Sequence, residues 1–412
     1  MNYLLFLIII IILYSIRNLK FKLNEPIFLY TFIWSTILVL YLSQIIGILT
    51  PLSAPFYFSL IISYLMFIMG SSIGKRITIP PISYEYNRNK LFLAATFLFF
   101  VITSAFMLTI VKLGAPPVLG GLSREHYYIG YLEILYLTVY VFWFIGFYLI
   151  FQKYRVKSIL IMILLSLIII VLKGNKFPII YFLCLLLYFK SQGKSINIKT
   201  FLLYTVVIIT VFTGAMYLYV DNFQSYIRYK TNLVDFNLNE NLWFLIDPLL
   251  YLTSNFMNLS NYLGANTSHS FGLSSLSGIL SFTQTKDLFL NKFTLIEAGW
   301  KENLIYPWLT TGTYLKEVFI DFGFIGIVLF PFFYGFFSGK YFSLVVKTNY
   351  NCSIFNLFVS FTFFYSICIS FFTFYFNSIE LVLNLILVYF IHRFAAKKVR
   401  RISSSNEMGV EA

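Results

Sequence analysis

Residues 91–111 pass twenty-one positions without a charged side chain, and comparable apolar runs recur along most of the chain. Inside hydrocarbon every backbone N–H and C=O must find a partner within the structure, so only helices or closed barrels can use such runs. A barrel strand alternates apolar and polar residues, and these continuous runs do not alternate. The expectation is an all-α, polytopic integral membrane protein. Composition agrees, with 59% hydrophobic, 21% aromatic and 11% charged residues and a mean hydropathy of +0.82. A soluble domain has too little interior to hide that much apolar side chain.

About eleven spans are expected, near 2–16, 27–48, 55–73, 91–111, 131–151, 158–172, 177–189, 201–220, 317–338, 353–376 and 380–394. Alternate connections hold most of the lysine and arginine, among them Lys75, Arg76, Arg88 and Lys90, then Lys153, Arg155 and Lys157, and finally Arg393 to Arg401. Cytoplasmic connections carry that excess, which sets the N-terminus outside and the C-terminus in the cytoplasm. The apolar N-terminal stretch lacks a preceding basic region and a small-residue cleavage site, so it reads as a retained first helix. The formal charge of +14 is distributed between apolar runs rather than along one aqueous face, so nucleic acid is not an expected partner. Cys184, Cys352 and Cys368 lie in or beside apolar runs and give no disulfide framework.

The organisation expected is membrane helices over 1–220, a large extracytoplasmic loop over 221–316, helices again over 317–394, and a cytoplasmic tail over 395–412. Smaller outer connections are the Gly/Pro-rich loop at 112–130 and the hairpin at 173–176. The two spans flanking that hairpin are short for a hydrocarbon layer of about 30 Å. Lys173 and Lys176 are therefore expected to lie recessed in an outward cavity, the alternative being a surface hairpin with snorkelling lysines. Residues 245–263 are too polar for a span and read as a helix on or dipping into the membrane surface. Trp300, Tyr306 and Trp308, interleaved with charges, suit either sugar rings or an interfacial aromatic belt.

No phosphate-binding glycine loop, Gly-x-Ser-x-Gly elbow or metal-ligand spacing is present, so no cofactor is expected. What remains is a scattered outer set. Its cations include Arg124, Lys173, Lys176, Arg228 and Lys230, and its acids include Glu125, Glu297 and Asp321. Cations in such a place suit a phosphate-rich ligand.

Three stretches carry a family resemblance. The loop 112–128 joins Gly and Pro to a following basic residue, Lys173-Gly174-Asn175-Lys176 sits between two helices, and Asp321-Phe322-Gly323 with Gly326 opens a late helix. In these features, and in having one large outer loop, the chain resembles the Wzy-type oligosaccharide repeat-unit polymerases that build O antigen, capsule or related polysaccharides. Lys176 departs from the arginine common at that hairpin and loses its forked geometry. The resemblance implies a glycosyltransferase acting on undecaprenyl-diphosphate-linked oligosaccharides at the outer face, beside a chain-length regulator and a flippase. The growing glycan passes to a hydroxyl of the incoming repeat unit and undecaprenyl diphosphate leaves. Arg124, Lys176 and Arg228 would hold the diphosphate, with Lys173 and Lys230 in support. His269 or Glu297 would act as base, with Glu125 and His126 as further choices. Asp321 is either a helix cap or part of the site, and Tyr127, Trp300, Tyr306 and Trp308 would meet sugar. An O-antigen ligase and a lipid-linked oligosaccharide flippase are the alternatives.

Overall fold

The computed structural model describes residues 25–77, 82–120, 126–191, 223–265, 269–348 and 352–397, with isolated positions in 203–214 and a short strand at 400–401. The expected first span, most of 201–220, Arg124, Glu125 and most of the C-terminal tail lie outside these residues. The described chain is helical apart from the antiparallel pair β1 (Ile82–Ser83) and β2 (Arg400–Arg401).

Among the described residues, four helical stretches are long and apolar enough to cross a membrane: α2 (Ala54–Arg76), α3 (Arg88–Leu113), α4–α5 (Gly130–Tyr136 and Thr138–Phe151) and α12 (Tyr314–Lys347). Shorter apolar helices pack among them: α1 (Pro26–Leu42), α6 (Val156–Leu172), α7 (Lys176–Ser191) and α13 (Ile354–Ile369). The last helix of the bundle is α14 (Ile379–Ala395). Between α7 and α12 lie α8 (Phe223–Val234), α9 (Ile246–Leu263), α10 (Ser277–Phe282) and α11 (Leu290–Lys301).

Helices α2 and α12 run parallel at backbone contact. A Cβ placed on Gly70 or Gly74 would fall 2.0 Å from the carbonyl oxygen of Phe332 or Phe336. Reciprocally, one on Gly335 would fall 2.2 Å from that of Phe67, and one on Gly339 would fall 2.3 Å from that of Ser71. Lipid supplies no hydrophobic drive between helices, so small residues four apart give the close approach that dispersion and Cα–H···O contacts require. The aromatic centre sits beside this seam. Tyr30 stacks on Phe67 with centroids 4.1 Å apart, its hydroxyl shares a 2.8 Å hydrogen bond with that of Tyr314, and the Trp34 indole donates to Ser370 Oγ at 2.8 Å.

Several expected boundaries move. The helix α1 stops at Leu42 rather than near 48, because Ile45–Gly47 turns back and pairs with the segment after α8: Gly47 N–H donates to Asp235 C=O at 2.7 Å. The run expected to span 353–376 ends as helix at Ile369, and residues 370–378 form a buried turn in which Ser370 C=O accepts from Tyr314 N–H at 2.8 Å. The interval read as a loop over 221–316 is largely helical among its described residues, and α12 starts at Tyr314 with a break at Gly323 (φ 58°, ψ −144°). Helix α9 does not rest on a surface. Its Ser254, Asn255 and Asn258 are fully buried, and Phe256 stacks on Trp34 at 5.4 Å. The asparagines explain how so polar a helix enters the core. Asn258 donates to Leu309 C=O at 2.9 Å and accepts from Ile305 N–H at 3.0 Å, and Asn255 accepts from Thr311 Oγ1 at 2.7 Å. Asn255 and Asn258 of this helix are thus paired, which keeps their burial cheap, while the buried Ser254 hydroxyl finds no partner among the described residues.

The connections sort into two ends. At one end, Ser53 meets Ser260, Asp235 meets Gly47, and Ser277 meets Asn377. At the other, Asn87 N–H donates to Ala395 C=O, Lys397 N–H donates to Glu85 C=O, and Tyr86 joins His392 and Ile354. Each of these links joins connections that the charge pattern assigns to the same side.

Candidate functional site

The end that carries α8–α11 also holds the start of α14, where Glu380 lies in the first turn. Ser378 caps that helix by accepting from Leu381 N–H at 3.2 Å, and a carboxylate there complements the positive end of the helix dipole. The Tyr375 hydroxyl donates to Glu380 Oε1 at 2.8 Å, and Tyr140 lies near the same carboxylate. Behind them the rings form a chain. Tyr140 meets Tyr181 at 4.5 Å, Tyr181 meets Tyr365 at 4.9 Å, and Tyr365 meets Tyr375 at 5.0 Å between centroids. The four tyrosines are buried and Glu380 is half-buried. The Tyr375 hydroxyl and a helix terminus hold the carboxylate as an acceptor while leaving lone pairs for a further proton.

One turn before Tyr140, Tyr136 lies under the Lys173 ammonium, which sits 3.2 Å from the ring centroid. Lys173 also bonds Glu133 in a buried ion pair. The anion that meets the recessed lysine thus belongs to the chain itself, and the pair leaves Lys173 with little net charge to offer a ligand. The backbone of Lys176 opens α7, beside Phe177, which packs on Phe372 of the turn before α14 at 5.3 Å.

Lys230 is likewise engaged. It is buried on α8, 3.5 Å from Asp247, and Tyr226 donates to the other oxygen of that carboxylate at 3.0 Å. Burial beside Asp247 pushes the Tyr226 phenol well up. Arg228 lies on the opposite, exposed side of α8, so Arg228 and Lys230 do not form one cradle. Trp308 stacks on Tyr306 at 4.4 Å and 12°, the Lys230 ammonium lies 5.5 Å from its ring, and the Tyr306 hydroxyl donates to Leu233 C=O. Trp308 keeps 43% exposure. Trp300 is buried, donates to Thr310 C=O at 2.9 Å and carries Lys316 4.3 Å over its ring. It therefore serves packing and presents no open face to a sugar. Tyr127 is buried with its hydroxyl on Gly114 C=O, latching the 112–130 loop; His126 beside it is exposed.

The proposed bases separate too. Glu297 is exposed on α11 and paired with Lys301 at 2.8 Å. That lysine's hydrogen bond and charge hold the carboxyl below its usual range, which weakens it as a proton acceptor. His269 packs edge-on to Phe319 at 5.8 Å and leaves no room for a side chain on Gly323, where a Cβ would meet its Nε2 at 2.8 Å. Asp321 is fully buried and opens no helix. Its carboxylate accepts from the N–H groups of Ser274 at 2.9 Å and Ser275 at 2.7 Å and from the Ser270 hydroxyl. It caps a turn across the fold rather than its own helix, and it has no face toward a substrate.

At the opposite end a cavity of about 670 Å³ lies between Tyr84–Asn89, Tyr148, Tyr154, Cys352 and Lys397. Burial pushes the Cys352 thiol up to about 11, which disfavours its thiolate. Glu380 and its tyrosines escaped the sequence reading, because the four rings come from four separate segments. The signal available was an acid at the edge of an apolar run, which at membrane depth is costly to keep without a task. No family model, curated protein or solved structure matches this chain.

Proposed function

We propose that the chain polymerises undecaprenyl-diphosphate-linked oligosaccharide repeat units at the outer face of a bacterial cytoplasmic membrane, with Glu380 as the general base. The observation that supports it best is the Glu380 carboxylate, held by the Tyr375 hydroxyl with Tyr140 close by, at the bundle end where the long polar interval packs. A sugar hydroxyl needs a proton acceptor within hydrogen-bond reach as it attacks, and a positioned carboxylate supplies one. The acceptor hydroxyl of the incoming unit loses its proton to Glu380 while its oxygen bonds the anomeric carbon of the growing glycan. The bond from that carbon to the diphosphate breaks, and undecaprenyl diphosphate departs with the electron pair. Arg228, exposed on α8, and the basic residues Arg124 and Lys176 are the proposed holders of the leaving diphosphate. Lys173 and Lys230, each paired with a carboxylate, keep the surrounding helices in place.

Deletion followed by gel analysis of surface glycan tests this. A polymerase mutant displays a single repeat unit on its carrier or core. A ligase mutant displays none, and a flippase mutant traps units on the cytoplasmic side. Either of the last two outcomes removes the proposal.

A further inference from the structure

The turn at 269–276 is fastened to α12 by Ser270 N–H on Ile320 C=O, Phe271 N–H on Asp321 C=O, and the three donors on the buried Asp321 carboxylate. What that fastening presents is unusual. Phe271 has a left-handed backbone (φ 55°), followed by Gly272 at φ 95°, and its ring is 80% exposed. A bulky residue in that conformation costs on the order of 1 kcal/mol or more and persists only where its surroundings dictate it. The apolar surface continues beyond the turn, with Leu288 78% and Leu295 70% exposed. Lysines flank it at Lys286 and Lys292 on the same segment, the first lying 4.9 Å from the Phe293 ring. On its other side the patch borders the outward surface of α12, since a Cβ placed on Gly272 would meet Phe322 Cζ at 3.4 Å and Phe322 and Ile325 are both exposed.

We infer that residues 271–295 form an interfacial anchor, lying in the leaflet at this end of the bundle with Phe271 and Leu295 in the acyl boundary and the lysines at the headgroups. Continuity with the apolar surface of a membrane-spanning helix identifies the occupant as lipid, and alternating leucine and lysine on short helices is the pattern an interface selects. Asp321 is then a positioning residue that fixes the turn. The anchor reaches α14 as well, because Gly278 packs on the Ser378 backbone, two residues from Glu380. Lipid at this surface therefore borders the proposed site, although the inference requires only a bilayer and no particular reaction.

Phe271→Cys, Leu295→Cys and Glu297→Cys, each labelled with an environment-sensitive fluorophore, are compared in vesicles of phosphatidylethanolamine and phosphatidylglycerol. Labelling of the unsubstituted protein measures the background from the native cysteines. Glu297 lies on the other side of α11 from Leu295. The probes at 271 and 295 should emit blue-shifted light and lose at least about half their signal to shallow spin-labelled lipids, while the probe at 297 stays water-like. Water-like, unquenched emission at 271 and 295 overturns the inference and leaves the patch to a protein partner. The readout involves no glycan, so it stands or falls apart from the proposed transfer.

Discussion

Gly335→Ala adds one methyl group to the seam between α2 and α12, and the outcome can be worked from the backbone. The new carbon would sit 2.2 Å from the Phe67 carbonyl oxygen and 2.9 Å from its carbon. Ordinary contact needs about 3.5 Å, so the helices must part by roughly 1 Å along this line. A gap of that size forfeits about a quarter to a half of each dispersion well it opens, and it does so along both helices. It also lengthens the backbone contacts at Gly70, Gly74 and Gly339, whose Cβ positions all fall within 2.3 Å of a carbonyl oxygen. Overpacking at such a place costs about 1–3 kcal/mol, against the roughly 0.5–1 kcal/mol that alanine gains over glycine inside a helix. The net is a loss of stability, seen as a lower midpoint when detergent-solubilised protein is heated and followed by fluorescence-detected size exclusion. Gly299→Ala is the control, since a Cβ on Gly299 in α11 meets nothing within 4 Å. That change should leave the midpoint unchanged or raise it. Equal midpoints for Gly335→Ala and Gly299→Ala would refute the close-packed seam.

Other substitutions test other parts of the fold and site. Asn258→Ala strips the partner from Ile305 N–H and Leu309 C=O, and buried groups left unpaired cost about 1–3 kcal/mol each. A lower midpoint and faster protease cleavage within 303–312 are expected. Lys230→Met leaves the buried Asp247 carboxylate without its cation and should destabilise by about 3–5 kcal/mol, whereas Lys230→Met with Asp247→Leu recovers most of that loss. The paired thermal midpoints measure it. Arg228→Ala should reproduce the single-unit glycan of the deletion while the midpoint stays at the wild-type value, because the side chain is exposed on α8. A wild-type ladder removes it from the diphosphate site.

Helix cores were legible where an apolar run ends in charge. The runs expected at 55–73 and 91–111 appear as Ala54–Arg76 and Arg88–Leu113. Hydropathy fails where apolar chain turns inside the protein, because a buried turn and a spanning helix have the same composition. Phe371–Phe376, with Phe374 and Tyr375 buried, is such a place. It fails in the opposite sense for α9, whose asparagines look too wet for the core until the carbonyls of Leu309 and Thr311 are found facing Asn258. The Gly70/Gly74 and Gly335/Gly339 spacings are visible in the text, but nothing in either helix names its partner. For the site, residue types were legible and company was not. Lys173, Lys230 and Asp321 are where polar chemistry gathers, yet each is neutralised or fully bonded by residues far away in sequence. Glu380 gathers its tyrosines from positions 140, 181, 365 and 375, and no local spacing encodes that.

The measurement that bears most directly on the account is the surface-glycan ladder of cells carrying Glu380→Gln in place of the wild-type chain. The substitution keeps the shape and the Tyr375 partner but cannot accept a proton, and loss of a positioned base slows transfer by about 10²–10⁴-fold. The account predicts single repeat units from Glu380→Gln, at wild-type protein level and thermal midpoint, and a full ladder from Glu297→Gln. A full ladder from Glu380→Gln would contradict it.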